Sequence, residues 1–421
     1  MQTYDRAWVD AQVAHTVALW HASAAGSGRN TPRYSSTQQE KHERAYDEAL
    51  QAVEAVLQRV PQTEAERIDT QERIVASFGQ FSALALGLDG EAIALLTREF
   101  LPVGTELAQW ARRFDPGLSM ADIIQAARNA WTACGLQPLM GVRVHLTPSI
   151  LGYSLLYPYS DNYLDKENVS TETKLRFSRR FRCRLAGEQL AATNDRERAM
   201  WTLIALIEKQ YPRHRYPQIF ECLLAIHNAQ EQSLTQIHNR HDGGDIDPLR
   251  ISCAKGGTSV LADACLVNGS LNKQESGFAF EWGVLLQLGD DLQDVRDDAQ
   301  SGSTTLFSRA VAAGKSLDGL TVQLLNFSDK VGRSMEGLPN GSTNLKKLLK
   351  TSWRSLIIRA VADSHEFFSP CFLQEAERYS PFRFDFLRRR GEGLASRQGL
   401  YSNLFNALLD SRDDYDDGLR P

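Results

Sequence analysis

Apolar residues recur at helical spacing through almost every long segment of the chain. No stretch shows the apolar and polar alternation that marks a half-buried strand. A chain patterned this way has to bury helical stripes against other helices, so the expected fold class is all-α. Helix starts are marked by Thr37-x-x-Glu40, Thr63-x-x-Glu66 and Ser119-x-x-Asp122, which have the form of capping boxes, and by Thr147-Pro148, an N-cap before a first-turn proline. Turn formers cluster at Ala25–Gly28, Asp115–Gly117, Asp242–Asp245, Gly302 and Leu338–Gly341. None of these breaks is long enough for an interdomain linker. They predict one large helical-bundle domain: N-terminal helices over 1–118 packed on the bundle, a core over 119–370, and C-terminal helices and tail over 371–421.

With 421 residues, 42% of them hydrophobic, the chain can bury a sizeable core. A formal charge of -5 leaves no excess of basic residues to follow a nucleic-acid backbone. No run approaches the roughly eighteen apolar residues of a membrane span, and Met1 to Arg6 lacks the basic and apolar make-up of a signal peptide, so a cytoplasmic protein is expected. Its six cysteines are scattered without Cys-x-x-Cys spacing and read as reduced thiols.

The most informative segment runs from Gly283 to Asp298. Gln287, Asp290, Asp291, Asp294 and Asp298 recur at three- and four-residue steps and share a helix face, and an apolar stretch (Phe278, Phe280, Trp282, Val284, Leu285) leads into them. Five carboxylates in the nine positions from Asp290 to Asp298 repel one another unless cations sit among the oxygens. Magnesium, a hard ion that favours oxygen ligands and keeps waters for phosphates, suits such a set. A second, smaller cluster pairs Asp161 with Asp165 one helical turn apart, after Tyr153, Leu155, Leu156, Tyr157 and Tyr159. Two apolar helices that each end in acids describe a greasy pocket with a metal-lined mouth.

These two segments resemble motifs of the class I isoprenoid synthase superfamily. Gly-x-x-Leu-Gln-x-x-Asp-Asp-x-x-Asp, from Gly283 to Asp294, looks like the second aspartate-rich motif of trans-prenyl diphosphate synthases, with Leu286 where an aromatic is usual. Asp161-Asn162-x-x-Asp165 is similar to the first motif, and its bare Asp-x-x-x-Asp pattern also resembles that of squalene and phytoene synthases. The resemblance implies three Mg2+ ions, two on Asp161 and Asp165 and the third on Asp290 with Asp291 and Asp294, with Gln287 near the reacting carbons. It also implies that Lys255, in Ala254-Lys255-Gly256-Gly257-Thr258, meets the diphosphate of a prenyl substrate. Arg179 and Arg180, and the pair Arg378 and Tyr379, which resembles the Arg-Tyr pair of terpene cyclases, are the further candidates for that contact. The two glycines after Lys255 cost helix stability and mark a kink or a close backbone approach.

The expected activity is that of a magnesium-dependent class I terpene synthase, a lyase that releases pyrophosphate from a prenyl diphosphate and cyclises or rearranges the cation. Chain elongation and head-to-head coupling by a prenyltransferase share the same first step. Elongating relatives carry a Gly-Lys-x-x-Arg-Pro segment, whose nearest counterpart is Gly28-Arg29-Asn30-Thr31-Pro32-Arg33, in a different order. A helical metal-binding or scaffold protein without catalysis is the reading of another class. The resemblance leaves room for a homodimer.

Overall fold

Side-chain caps set the helix starts in the computed structural model, which describes residues 3–24, 33–57, 61, 63–85, 87–164, 169–238 and 247–396. Three helices come first: α1 (Arg6–His21), α2 (Ser36–Leu57) and α3 (Glu64–Ala85). α4 (Gly90–Leu95) runs through the π-helical turn Leu96–Phe100 into α5 (Leu101–Phe114). There follow α6 (Met120–Leu139), α7 (Pro148–Leu164), α8 (Thr171–Leu185), α9 (Asp195–Gln210) and α10 (Pro217–His238). Next are α11 (Pro248–Asn268), α12 (Lys273–Gln293), α13 (Val295–Ser301) and α14 (Leu306–Ala312). The chain ends with α15 (Asp318–Glu336), α16 (Thr343–Asp363), α17 (Pro370–Glu377) and α18 (Phe384–Ser396). Among the described residues there is no strand, so the all-α expectation holds. No described helix is long and apolar enough to cross a membrane.

The capping boxes at Thr63 and Ser119 form as the sequence predicts, each with reciprocal backbone bonds to Glu66 and Asp122. Ile150 N donates to Thr147 Oγ1 at the start of α7. Thr37 does not cap: α2 begins two residues earlier, where Ser35 and Gln38 exchange the reciprocal bonds. Two overlapping boxes fit the sequence there, and the earlier one wins because Tyr34 N is fixed to Arg378 O at 2.7 Å.

At the centre stands α11, buried on nearly every side and packed mainly on α12 and α10, with α6, α1 and α7 around it. Its glycines explain how α12 comes so close. A Cβ on Gly256 would lie 2.4 Å from Gly283 O, and one on Gly283 would lie 2.0 Å from Gly256 O. A Cβ on Gly257 would enter the Phe280 ring at 2.5 Å. The glycine pair marks a close backbone approach, with α11 running unbroken past it. On the far side of α12, Trp282 packs on Trp353 of α16, ring centroids 5.5 Å apart, and against Gly135 of α6.

The N-terminal segment belongs partly to this core. Tyr4, Val13 and Trp20 join the main apolar cluster, with Trp8 against Phe280 and Trp20 against Phe327. α2 and α3 instead pair with each other and with the C-terminal end of the chain. There Tyr46, Phe81, Phe382 and Phe386 form a separate aromatic cluster, Gln39 Nε2 donates to Glu377 O and Ser380 O, and Arg383 pairs with Glu43.

Gly256→Ala is expected to destabilise the protein by about 3 kcal/mol, the upper range for overpacking, because backbone rather than a side-chain tip must yield. Gly277→Ala, on α12 with nothing within 4 Å of the added methyl, should stabilise by about 0.5–1 kcal/mol. Urea unfolding midpoints for the two variants check the pair. A Gly256→Ala midpoint equal to wild type would mean that the two backbones do not touch.

Candidate functional site

The contact at Gly283 fixes how α12 is rotated against α11, and two turns later α12 presents its acids. Asp291 points inward: Ser252 Oγ of α11 donates to its Oδ2 at 2.6 Å and Gln287 Nε2 to its Oδ1 at 2.8 Å. Both oxygens of Asp291 and the Gln287 amide nitrogen are thereby engaged, so Asp291 braces α12 against α11 where the motif resemblance implied a metal ligand. Asp290 and Asp294 face α6. Asp290 Oδ1 lies 3.5 Å from Arg128 Nη2, and the charge of Arg128 also reaches Asp294. Lys255 adds positive potential at Asp290 and Asp291.

α6 connects this cluster to the end of α7. Asn162 Nδ2 donates to Asp122 Oδ1 at 2.6 Å and lies 3.4 Å from Gln125 Oε1. From Gln125 to Arg128 is one helical step of about 4.5 Å along the same face. The partners of Asn162, the residue next to Asp161, and the residue paired with Asp290 therefore stand on one edge of α6. The Asp161 side chain and the whole of Asp165 lie outside the described residues, as do residues 28–32 of the Gly28–Arg33 segment.

Burial raises Asp290, Asp291, Asp294 and Asp298, and like-charged neighbours add to it. Asp290, half exposed to water yet walled in by protein, is lifted to about 6, against the pull of Arg128 and with a push from Asp294 and Asp291. Asp298 reaches about 6 for the same reasons, with Asp291 and Asp294 as its like-charged neighbours. Asp291 and Asp294 are raised as well, chiefly by burial. Carboxylates held together at such a cost are suited to a hard cation. Asp290 and Asp294 are the described ligands such an ion would use. Among the described residues no group of three or more His, Cys, Asp or Glu is already arranged as a metal site.

A narrow cavity of about 40 Å³ lies between α7, α8, α10 and α11, walled by Leu156, Phe181, Leu185, Leu223, Ile226 and His227. Asn129, Ser160 and Ser259 also line it. These three follow Arg128, precede Asp161 and come one turn after Lys255, so the polar end of the cavity adjoins the acidic opening. The Asn129 amide is held by Ser154 Oγ at 3.2 Å and Asp263 Oδ1 at 3.1 Å. Asp263 is buried, and burial pushes its carboxyl well above the usual carboxylate range, against the Asn129 hydrogen bond.

The other basic candidates have different partners. Arg180 forks onto Glu197 at 2.6 and 2.9 Å and donates to Ala191 O, which clamps α8 to the start of α9. Arg179 is exposed on α8. Arg378 and Tyr379 are bound to Glu375, and Arg33 bridges Glu375 and Tyr379. They belong to the contact between the two ends of the chain. Arg128 was not among the sequence candidates. Its signal was present: Arg128 and Asn129 interrupt the apolar run of α6 one helical step after Gln125.

No protein-family model matches the chain, and neither a curated protein nor a solved structure matches it.

The raised acids make a stability prediction. Asp290 binds its proton more tightly in the folded state, at about 6 against 3.8 in the unfolded chain. Metal-free stability is therefore unpenalised below the unfolded value and falls as pH rises through the folded one. Asp290→Asn should raise Tm in EDTA at pH 7.5 and leave it unchanged at pH 4. Millimolar Mg2+ should raise the wild-type Tm at pH 7.5 far more than at pH 5. A lower Tm for Asp290→Asn at pH 7.5 would show that its charge stabilises the fold instead.

Proposed function

We propose that the protein is a magnesium-dependent enzyme of the class I terpene synthase type, which ionises a prenyl diphosphate at the acidic opening and guides the cation in the adjoining apolar cavity. The observation that carries this reading is the edge of α6, which joins the ends of α7 and α12 and sets Arg128 against Asp290 beside the cavity. Magnesium bound there would stabilise charge developing on the departing diphosphate. The chain itself contributes the remaining interactions. Asp290 and Asp294, with Asp161 and Asp165, hold the cation sites. Arg128 and Lys255 supply positive charge beside them; once a cation takes Asp290, the Arg128 guanidinium is free to donate to diphosphate oxygens. Apolar walls keep water from the cation, and aromatic rings such as Phe181 offer it their negative faces.

At about 40 Å³ the cavity has room for a few waters only. Binding a prenyl chain therefore entails an outward shift of its walls, of which α8 contributes Phe181 and Leu185. One feature favours a single prenyl substrate over elongation: Arg33, the described basic residue of the segment nearest the elongases' second diphosphate site, is committed to Glu375 and Tyr379.

The test is pyrophosphate release from geranylgeranyl diphosphate, run with a panel of shorter and longer prenyl diphosphates and with Mg2+ or EDTA. Arg128→Gln should slow release by about 10²-fold, the loss expected for one cationic donor to a developing anion. Labelled isopentenyl diphosphate should not enter the product. Label recovered in a longer prenyl diphosphate would make the protein an elongase, and release that is absent or indifferent to Mg2+ would end the reading.

A further inference from the structure

Beyond the acidic opening, the cavity wall carries a polar group that the ionisation step does not use. His227 of α10 is 2% exposed and lines the cavity. Its Nε2 lies 3.4 Å from Ser178 Oγ of α8 and 3.7 Å from Glu231 Oε1 one turn along α10. The Phe181 ring stands edge-on to the imidazole at 5.0 Å between centroids. Its other nitrogen, Nδ1, is buried and has no hydrogen-bond partner among the described residues.

The hydrogen bonds fix the tautomer. Ser178 has one hydroxyl proton, and it is donated to Glu231 Oε1 in a very short contact. Toward His227 the serine then offers only lone pairs, so Nε2 must carry the hydrogen of the neutral ring. Burial holds the imidazole below its usual pKa, opposed by Glu231 and assisted by Arg182. Nδ1 is left as an uncapped lone pair behind the wall, where a buried polar atom without a partner is costly, and it meets a prenyl chain once the walls have shifted outward to admit one.

We propose that His227 is the base that ends the reaction, taking a proton from the hydrocarbon cation through Nδ1. This rests on the function proposed above and names its terminating group. In the step, a C–H bond next to the cationic carbon breaks and its electron pair becomes the new C=C bond. The proton goes to Nδ1, and the resulting imidazolium is stabilised by the Glu231 carboxylate. The Glu231 side chain is 30% exposed. The added proton returns to water when the product leaves. The product is therefore an alkene rather than an alcohol.

His227→Gln tests this, because the glutamine amide can still donate to Ser178 from near the Nε2 position while the Nδ1 lone pair is removed. With geranylgeranyl diphosphate and Mg2+, each product is counted per pyrophosphate released, so that a change in ionisation rate cancels. The main wild-type alkene should fall by about 10²-fold, as expected for loss of a general base, with water-quenched alcohols or isomeric alkenes in its place. An unchanged product profile overturns the base assignment and leaves the proposed ionisation standing. A wild type that releases no pyrophosphate sinks both. The tautomer is checked without any variant by 15N NMR of histidine-labelled wild type at pH 7. A neutral Nε2–H ring at His227 is expected, and an Nδ1–H tautomer or an imidazolium there overturns the assignment whatever the variant does.

Discussion

Everything functional in this protein depends on two helix backbones that touch. Gly256 and Gly283 let α11 and α12 approach until each carbonyl occupies the space a side chain on the other helix would need. Helices at ordinary spacing can slide or roll by fractions of a turn. Two glycines facing each other remove that freedom, because any rotation drives Phe280 or Gln287 into the neighbouring backbone. The rotation so fixed decides that Asp291 turns inward to Ser252 while Asp290 turns outward to Arg128.

α6 then acts as a ruler. Its apolar side packs into the core through Ile123, Ala126, Ala130 and Ala133. Its polar edge passes the end of α7 at Asp122 and Gln125 and the end of α12 at Arg128. Two acidic segments more than a hundred residues apart in sequence are referred to one straight rod. The capping box of Ser119 and Asp122 fixes where that rod begins, and Asp122 spends its second oxygen on Asn162. One carboxylate thus starts the helix and locates the neighbouring one.

The fold class was legible because period alone separates helices from strands, and the Gly256-Gly257 pair announced either a kink or a close approach, of which the structure shows the second. Partners were less legible. The stripe of α1, with Val13, Thr16 and Trp20, looks like that of any surface helix, and nothing in its spacing says that it enters the main core. The acids were found because like charges in a row are conspicuous in one dimension. Their cation was not: Arg180 looked suitable by its nearness in sequence to Asp165 but is held by Glu197, whereas Arg128 lies on a different helix and only the bundle brings it to Asp290. His227 carried no signal at all, since a lone histidine in an apolar helix acquires meaning only from Ser178 and Glu231 beside it.

The contact between the two ends of the chain has a consequence for biosynthesis. Arg383 meets Glu43 across 340 residues of sequence, so the loop that this contact closes takes in most of the described helices. Closing so long a loop is rewarded only after the bundle has brought its ends together. On the ribosome, α2 and α3 emerge early, with Tyr46 and Phe81 lacking the rings of Phe382 and Phe386 that later cover them. These early helices are thus among the last to be completed, and until then this pair offers a sticky aromatic face to whatever is nearby.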